Sequence, residues 1–252
     1  MSVFLLGLNI RNIQQACPVL YGTVLCMLRL ALYVIPCLLI LSVIRFRTKI
    51  PSFVFRKILH TLAFVSSAVM IIRSGSCLCA VLAFLAVSVI LYPFLSAVES
   101  RPWYARLFVE KKPGELKKSL CLFFVVIAAV TTAAWGLFGA KHLAVAAILM
   151  WGPGDAAAAL VGIPFGKHRI SWPAADSSKS WEGTLAMFAA SFVCGFLVLR
   201  FYGSLGTLKS LICALVSSLA GAFVELVSKG GNDTFTVPPA ILASLLILTS
   251  VF

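Results

Sequence analysis

Apolar residues in this chain run in long stretches separated by short polar segments. A bilayer core about 30 Å thick takes roughly 20 such residues to cross as an α-helix. Eight stretches meet or nearly meet that length: 20–44, 58–72, 76–98, 119–138, 142–163, 183–200, 207–227 and 237–252. The second is short. The last opens on Pro238-Pro239, which a first helical turn tolerates, so the pair marks a helix start. Residues 1–19, with Asn9, Arg11, Asn12, Gln14 and Gln15, read as an interfacial segment. Val3–Leu8 is too short for the apolar core of a secretory signal. The pattern predicts an all-α, polytopic integral membrane bundle with about seven or eight transmembrane helices. No linker or repeat divides it, so 1–252 reads as one membrane-embedded domain.

Composition excludes the soluble alternative. Hydrophobic types make up 61% of the 252 residues and charged types 12%, against about 25% charged in an ordinary globular protein. The net charge of +13 invites a nucleic-acid reading, but the basic residues fall between apolar runs instead of forming a hydrated face. No nucleic-acid partner is expected. Their distribution is better explained by membrane orientation. The loops 45–57, 99–118, 164–182 and 228–236, all on one side of an eight-span bundle, hold 15 Lys and Arg, against 5 on the other side. Positive loops stay cytoplasmic, so the first side is expected to face the cytosol. Arg29 lies inside the first span. All eight acids fall in the basic loops or within two or three helical turns of them. The eight cysteines contain no Cys-x-x-Cys pair and mostly sit in apolar runs, as small hydrophobes do.

Three polar clusters carry candidate chemistry. The first runs from Gly152 through Asp155, Gly162 and Gly166 to Lys167, His168 and Arg169. A carboxylate in an apolar helix costs several kcal/mol unless it is paired, hydrated or cation-bound, so Asp155 is a functional-site candidate. Ala159, Gly162 and Gly166 form a small-residue ridge on its helical face, the pattern of a helix-packing seam. Gly166-Lys167 is not a P-loop: three residues separate the glycines, and His168 stands where Ser or Thr is needed. Backbone N–H groups near these glycines, with Lys167 and Arg169, still suit a phosphate.

The second cluster is Asp176-Ser-Ser-Lys-Ser-Trp-Glu-Gly183, with Ser177, Ser178 and Ser180 as N-cap candidates and Glu182 in the first turn. Lys179 opposes the positive end of that helix dipole, a conflict that a bound anion would remove. The third cluster is Glu225 with Gly230-Gly231-Asn232-Asp233. Carboxylates at separate helix ends, among lysines and glycines, are the ingredients of a Mg²⁺–nucleotide site, since Mg²⁺ takes one or two carboxylates plus phosphate oxygens. Arg56, Lys57 and His60 add a weaker signal at the start of the second span. Trp103, Tyr104 and Trp172 read as interfacial aromatics.

Gly154-Asp-Ala-Ala-Ala-Ala-Leu-Val-Gly-Ile-Pro-Phe-Gly-Lys-His168 and Lys179-Ser-Trp-Glu-Gly-Thr-Leu-Ala-Met-Phe188 closely resemble the dolichol kinase/phytol kinase family of polyprenol kinases. Arg56-Lys-Ile-Leu-His60 is similar to that family's early Arg-Lys…His element, and Asp233-Thr-Phe-Thr-Val-Pro238 to its late Asp-Asn-Leu-Thr-Val-Pro element, with Thr234 in place of Asn. The resemblance implies a multi-pass enzyme that uses CTP and Mg²⁺ to phosphorylate a lipid alcohol, with a catalytic core over about 50–240. On that reading Asp155 and Asp233 hold the metal, assisted by Glu182. Lys167, Lys179 and Arg169 neutralise the triphosphate, and Gly162, Gly166, Ser180 and Gly183 line the nucleotide site. Arg56, Lys57, His60 and Glu225 contact substrate, and the alcohol enters sideways from the inner leaflet. The nearest rival is a phosphatidate cytidylyltransferase, which shares the central elements, but its late Pro-Gly-His-Gly-Gly and Asp-Arg-x-Asp signature is missing. A transporter or channel is a third reading. It requires polar residues spread through the membrane depth, and Arg29 is the main one so placed.

Overall fold

The computed structural model describes residues 17–108, 110, 114–172, 175–176, 179–229 and 232–251. All eight apolar stretches are helices long and apolar enough to cross a bilayer. In chain order these are α1 (Pro18–Arg47), α2 (Ser52–Arg73), α3 (Cys77–Val98), α5 (Glu115–Thr131), α6 (Lys141–Phe165), α7 (Trp181–Leu197), α8 (Thr207–Val227) and α9 (Asp233–Val251), with a short α4 (Pro102–Leu107) between α3 and α5. Single π-helical stretches, Thr132–Leu137 and Val198–Tyr202, extend α5 and α7. The fold is an all-α multi-pass membrane bundle. The interfacial segment expected at 1–19 lies almost wholly outside the described residues.

Helix α6 is the centre of the bundle, packed against α2, α5, α7, α8 and α9. Its first half is walled in, with Leu143–Ile148, Met150–Gly152, Gly154 and Ala156 buried. Beyond Ala156 no residue of α6 is buried, and Ile163, Pro164 and Phe165 are exposed. Lipid tails are as apolar as a protein core, so tight helix contacts in a membrane rely on small residues. Gly152 lets the Phe64 ring of α2 lie directly on the α6 backbone, where it packs edge-on against Trp151 (4.5 Å) and Phe123 (4.7 Å). A Cβ at 152 would overlap that ring, and Phe64 is fully buried with no room to retreat. Gly152→Ala is therefore expected to destabilise the bundle by about 1–3 kcal/mol, read as a lowered melting temperature in detergent. Gly154 faces Ser191 of α7 in the same way. Ser191 Oγ donates to the Met150 carbonyl (2.6 Å), in the turn that Pro153 disturbs.

Three expectations change. The second span is not short: α2 begins at Ser52, because Arg56 and Lys57 find acidic partners and need not stay outside the helix. Arg29 is not deep. At about 1.5 Å per residue, the 30-residue α1 is roughly 45 Å long and overshoots the bilayer core. Arg29 donates to the main-chain carbonyl of Arg73 at the end of α2 (2.8 Å), level with that helix terminus. Lys141 caps Ile72 and Ser74 at the same end. Tyr104 is not an interfacial aromatic. It is buried, unlike Trp103 beside it, and its hydroxyl donates to Glu110 (2.8 Å). Burial and the Glu110 carboxylate together push this phenol above its ordinary pKa.

Candidate functional site

At the end of the bundle that carries the basic loops, the N-termini of α2, α7 and α9 meet the C-terminal parts of α6 and α8 around a cavity of about 360 Å³. Helix α2 contributes Phe53, Arg56 and Lys57. Helix α6 contributes Asp155, Ala158, Ala159, Gly162 and Ile163, all on one helical face. Asp176, Lys179, Ser180, Gly183 and Thr184 come from the loop before α7 and its first turn, and Glu225, Ser228 and Asp233 from the α8–α9 junction. Asp155, Lys179 and Asp233, far apart in sequence, thus line one space.

The cations here are paired in advance. Lys57 and His60, three residues apart on α2, lie on one helical face. Lys57 Nζ donates to Asp155 Oδ2 at 2.7 Å, and His60 Nε2 lies 3.0 Å from the same oxygen. That imidazole nitrogen is shielded from solvent. The His60 ring rests on Phe64 (4.6 Å). Arg56, on the next face of α2, reaches Glu115 at the head of α5 (3.4 Å). Lys179 Nζ lies 2.8 Å from Glu225 Oε1 and also donates to the Glu225 main-chain carbonyl. Glu225 is in turn within electrostatic reach of Asp155 and Asp233.

The Lys179 geometry revises its sequence reading. The cation at the start of α7 finds its anion within the fold, from a carboxylate and a carbonyl near the C-terminus of α8, the negative end of that dipole. No bound ligand is needed to relieve the conflict, although Lys179 still faces the cavity. Ser180 is the N-cap of α7 and accepts from the Gly183 amide (3.2 Å). Ser177 and Ser178 lie outside the described residues, as do Gly230 and Gly231.

Five expected site residues do not line the cavity: His60, Gly166, Lys167, Arg169 and Glu182. Glu182 turns back to the loop after α6, accepting from the amides of Lys167 (3.2 Å) and His168 (3.1 Å) and lying 2.7 Å from His168 Nδ1. The amides expected to cradle a phosphate are thereby taken by a carboxylate. A lone bridge between Arg169 and Ser180 folds the same loop back on itself, leaving the Lys167 and Arg169 side chains exposed. Gly166 serves packing, since a Cβ there would strike the Gly162 carbonyl and Ser180 Oγ. Gly162 meets Gly183 across the α6–α7 contact, where a Cβ would sit 3.3 Å from the Gly183 Cα. The ridge is therefore both a seam and a cavity wall. The sequence reading assigned no site role to Asp176, Phe53, Thr184 or Ser228. Thr184 lies one turn beyond Ser180, the spacing that could have marked it.

The donor chemistry fits Mg²⁺. Four carboxylates (Asp155, Asp176, Glu225 and Asp233) line the cavity beside three cations, and all are hard oxygen donors. Among the described residues, no three His, Cys, Asp or Glu side chains form a ready-made metal cage. Mg²⁺ seldom uses such a cage and takes much of its coordination from phosphate and water.

No family model matches the chain, and no solved structure matches it. It is 35% identical over 117 residues to a phytol kinase of Synechocystis, covering 46% of this chain and 49% of that protein. It is 23% identical over 165 residues to a probable chloroplastic phytol kinase 2 of Glycine max, covering 63% of this chain and 54% of the relative. It is also 23% identical over 175 residues to a probable chloroplastic phytol kinase of Zea mays, covering 63% and 56%. The matches span about half the length of each relative. Over these stretches the chain is similar to phytol kinases, and the motifs that carry the likeness meet in its cavity.

Proposed function

We propose that this protein is a lipid-alcohol kinase that transfers the γ-phosphoryl group of CTP, with Mg²⁺, to a hydroxyl at the cytosolic face of the membrane. The observation that carries this reading is the meeting of Asp155, Lys179 and Asp233 in one cavity at the bundle's basic end. The charge balance supports it further. A cavity with more carboxylates than cations repels a bare polyanion, so a triphosphate belongs there only with added positive charge. Asp233, at the open start of α9, and Asp155 would hold Mg²⁺, which when bound would neutralise charge on the triphosphate. Asp155 has one oxygen engaged by Lys57 and His60, which fixes the carboxylate's orientation. Lys57 and Lys179 supply the nearest positive charge to the phosphates, and Arg56 stands further out. In the transfer, the alcohol oxygen bonds to the γ-phosphorus, the bond to the β-phosphate oxygen breaks, CDP leaves, and a cavity carboxylate takes the hydroxyl proton.

CTP labelled at the γ-phosphate tests this reading. Incubated with purified protein, Mg²⁺ and a panel of polyprenol, phytol, farnesol and diacylglycerol, it is expected to leave the label on an alcohol. With phosphatidate supplied as acceptor, label recovered in pyrophosphate alongside a CDP-lipid would instead establish the phosphatidate cytidylyltransferase reading. A transporter is disfavoured because Arg29, the main residue that could have lined a path through the bilayer, caps a helix end.

A further inference from the structure

The end of the bundle away from the cavity carries no acidic side chain, since all eight acids lie in the basic loops or within three helical turns of them. Cations are fewer there as well, as the rule for positive loops predicts. Three of them nevertheless converge on one point, the C-terminus of α2. The Arg29 guanidinium donates to the main-chain carbonyl of Arg73 (2.8 Å), and Lys141 Nζ donates to the carbonyls of Ile72 (2.9 Å) and Ser74 (2.7 Å). Arg73 itself is exposed at the last position of the helix. A helix C-terminus offers roughly half an elementary negative charge, which accounts for one of these cations. The Trp135 ring, 4.6 Å from Lys141 Nζ, eases a second. The rest of the positive charge has no acidic side chain beside it.

Depth indicates what supplies the balance. Arg73 closes one span and Lys141 opens another, so both sit where hydrocarbon gives way to lipid phosphate, and Arg29 reaches the same level. From Arg29 toward the middle of the bilayer, α1 presents Leu32 and Ile35, both exposed. Cations at phosphate level above an apolar helix face suit a phospholipid, head and tail together. Gly75, in the turn between α2 and α3, leaves open space beside the cations. Helix α1 is also the least buried of the eight spans, so a ligand held by both Arg29 and Arg73 adds a fastening where the packing is thinnest.

We infer that the phosphate of an anionic phospholipid binds in this corner, bridging Arg29 of α1 and Arg73 of α2, with an acyl chain along Leu32 and Ile35, and pins α1 to the bundle. The depth of the bundle separates this site from the cavity, and the inference does not depend on the kinase reading.

Native mass spectrometry of the detergent-solubilised protein, titrated with phosphatidylglycerol or with phosphatidylcholine, tests the assignment. The first phosphatidylglycerol is expected to bind more tightly than phosphatidylcholine and to raise the melting temperature. Arg73→Gln changes an exposed side chain and is expected to weaken that first step about fivefold, the effect of one cation at an anionic lipid. Arg73→Lys should retain the binding. Arg200→Gln, which removes a cation at the same end but on the π-helical extension of α7, should leave it unchanged. Equal affinity for the two lipids overturns the inference, and so does an equal loss in Arg73→Gln and Arg200→Gln, because the attraction is then diffuse. Inorganic phosphate that alone reproduces the rise in melting temperature overturns the assignment to a lipid. A phosphatidylglycerol with a photoreactive acyl chain should label Leu32 or Ile35 in the wild-type protein and label them less in Arg73→Gln; adducts that ignore the substitution count against the site.

Discussion

Asp155→Asn is expected to abolish phosphoryl transfer, with turnover falling at least about 10²–10³-fold, the usual cost of losing one fixed charge from a closed site. Asp155 is 14% exposed and holds both Lys57 and His60 on one oxygen. An amide keeps the shape and can accept one hydrogen bond, but it leaves the Lys57 ammonium without its directly bonded counter-charge. Some loss of stability should follow, because removing one partner of a buried pair is costly. The double variant Asp155→Asn with Lys57→Met separates the two effects. Its melting temperature should recover part of the loss while activity stays absent. Wild-type phosphorylation by a folded Asp155→Asn protein would exclude Asp155 from the chemistry.

Lys179→Met should give the next largest effect, through binding. The substitution removes a cavity cation, leaves Glu225 10% exposed without its ammonium, and unties the loop before α7 from the end of α8. Truncating one side of a buried, hydrogen-bonded charge pair costs about 2–5 kcal/mol. Most of this is expected as a raised KM for CTP, with a smaller fall in kcat. Lys179→Arg keeps the charge and should restore much of the affinity. A Lys179→Met protein with the wild-type KM for CTP would confine this lysine to holding the loop.

The spans were legible because hydrocarbon imposes a simple length rule on an apolar run. Their ends were less so. Arg56 and Lys57 looked like loop residues until Glu115 and Asp155 appeared opposite them. Six amphipathic residues, Pro102–Leu107, carry too little periodicity to announce a helix. In the site, the clusters that stood out by polarity do converge, because a carboxylate within an apolar run needs compensation and little else supplies it. The pairings were not readable. Lys57 and Asp155 are 98 residues apart, and which acid meets which cation depends on the rotation of α2 and α6 about their axes. Glu182 illustrates the same limit. One turn of a helix decides whether it faces the cavity or the loop behind, and it faces the loop.

The pre-paired cations have a mechanical side as well. Each ion pair at the cavity joins two separate stretches of chain: α2 to α6, α2 to α5, and the loop before α7 to α8. Together they act as cross-braces at the bundle's open end. A polyanion that recruits these side chains withdraws the braces and puts itself in their place. Ligand occupancy and stiffness of the rim are thus two readings of one set of contacts.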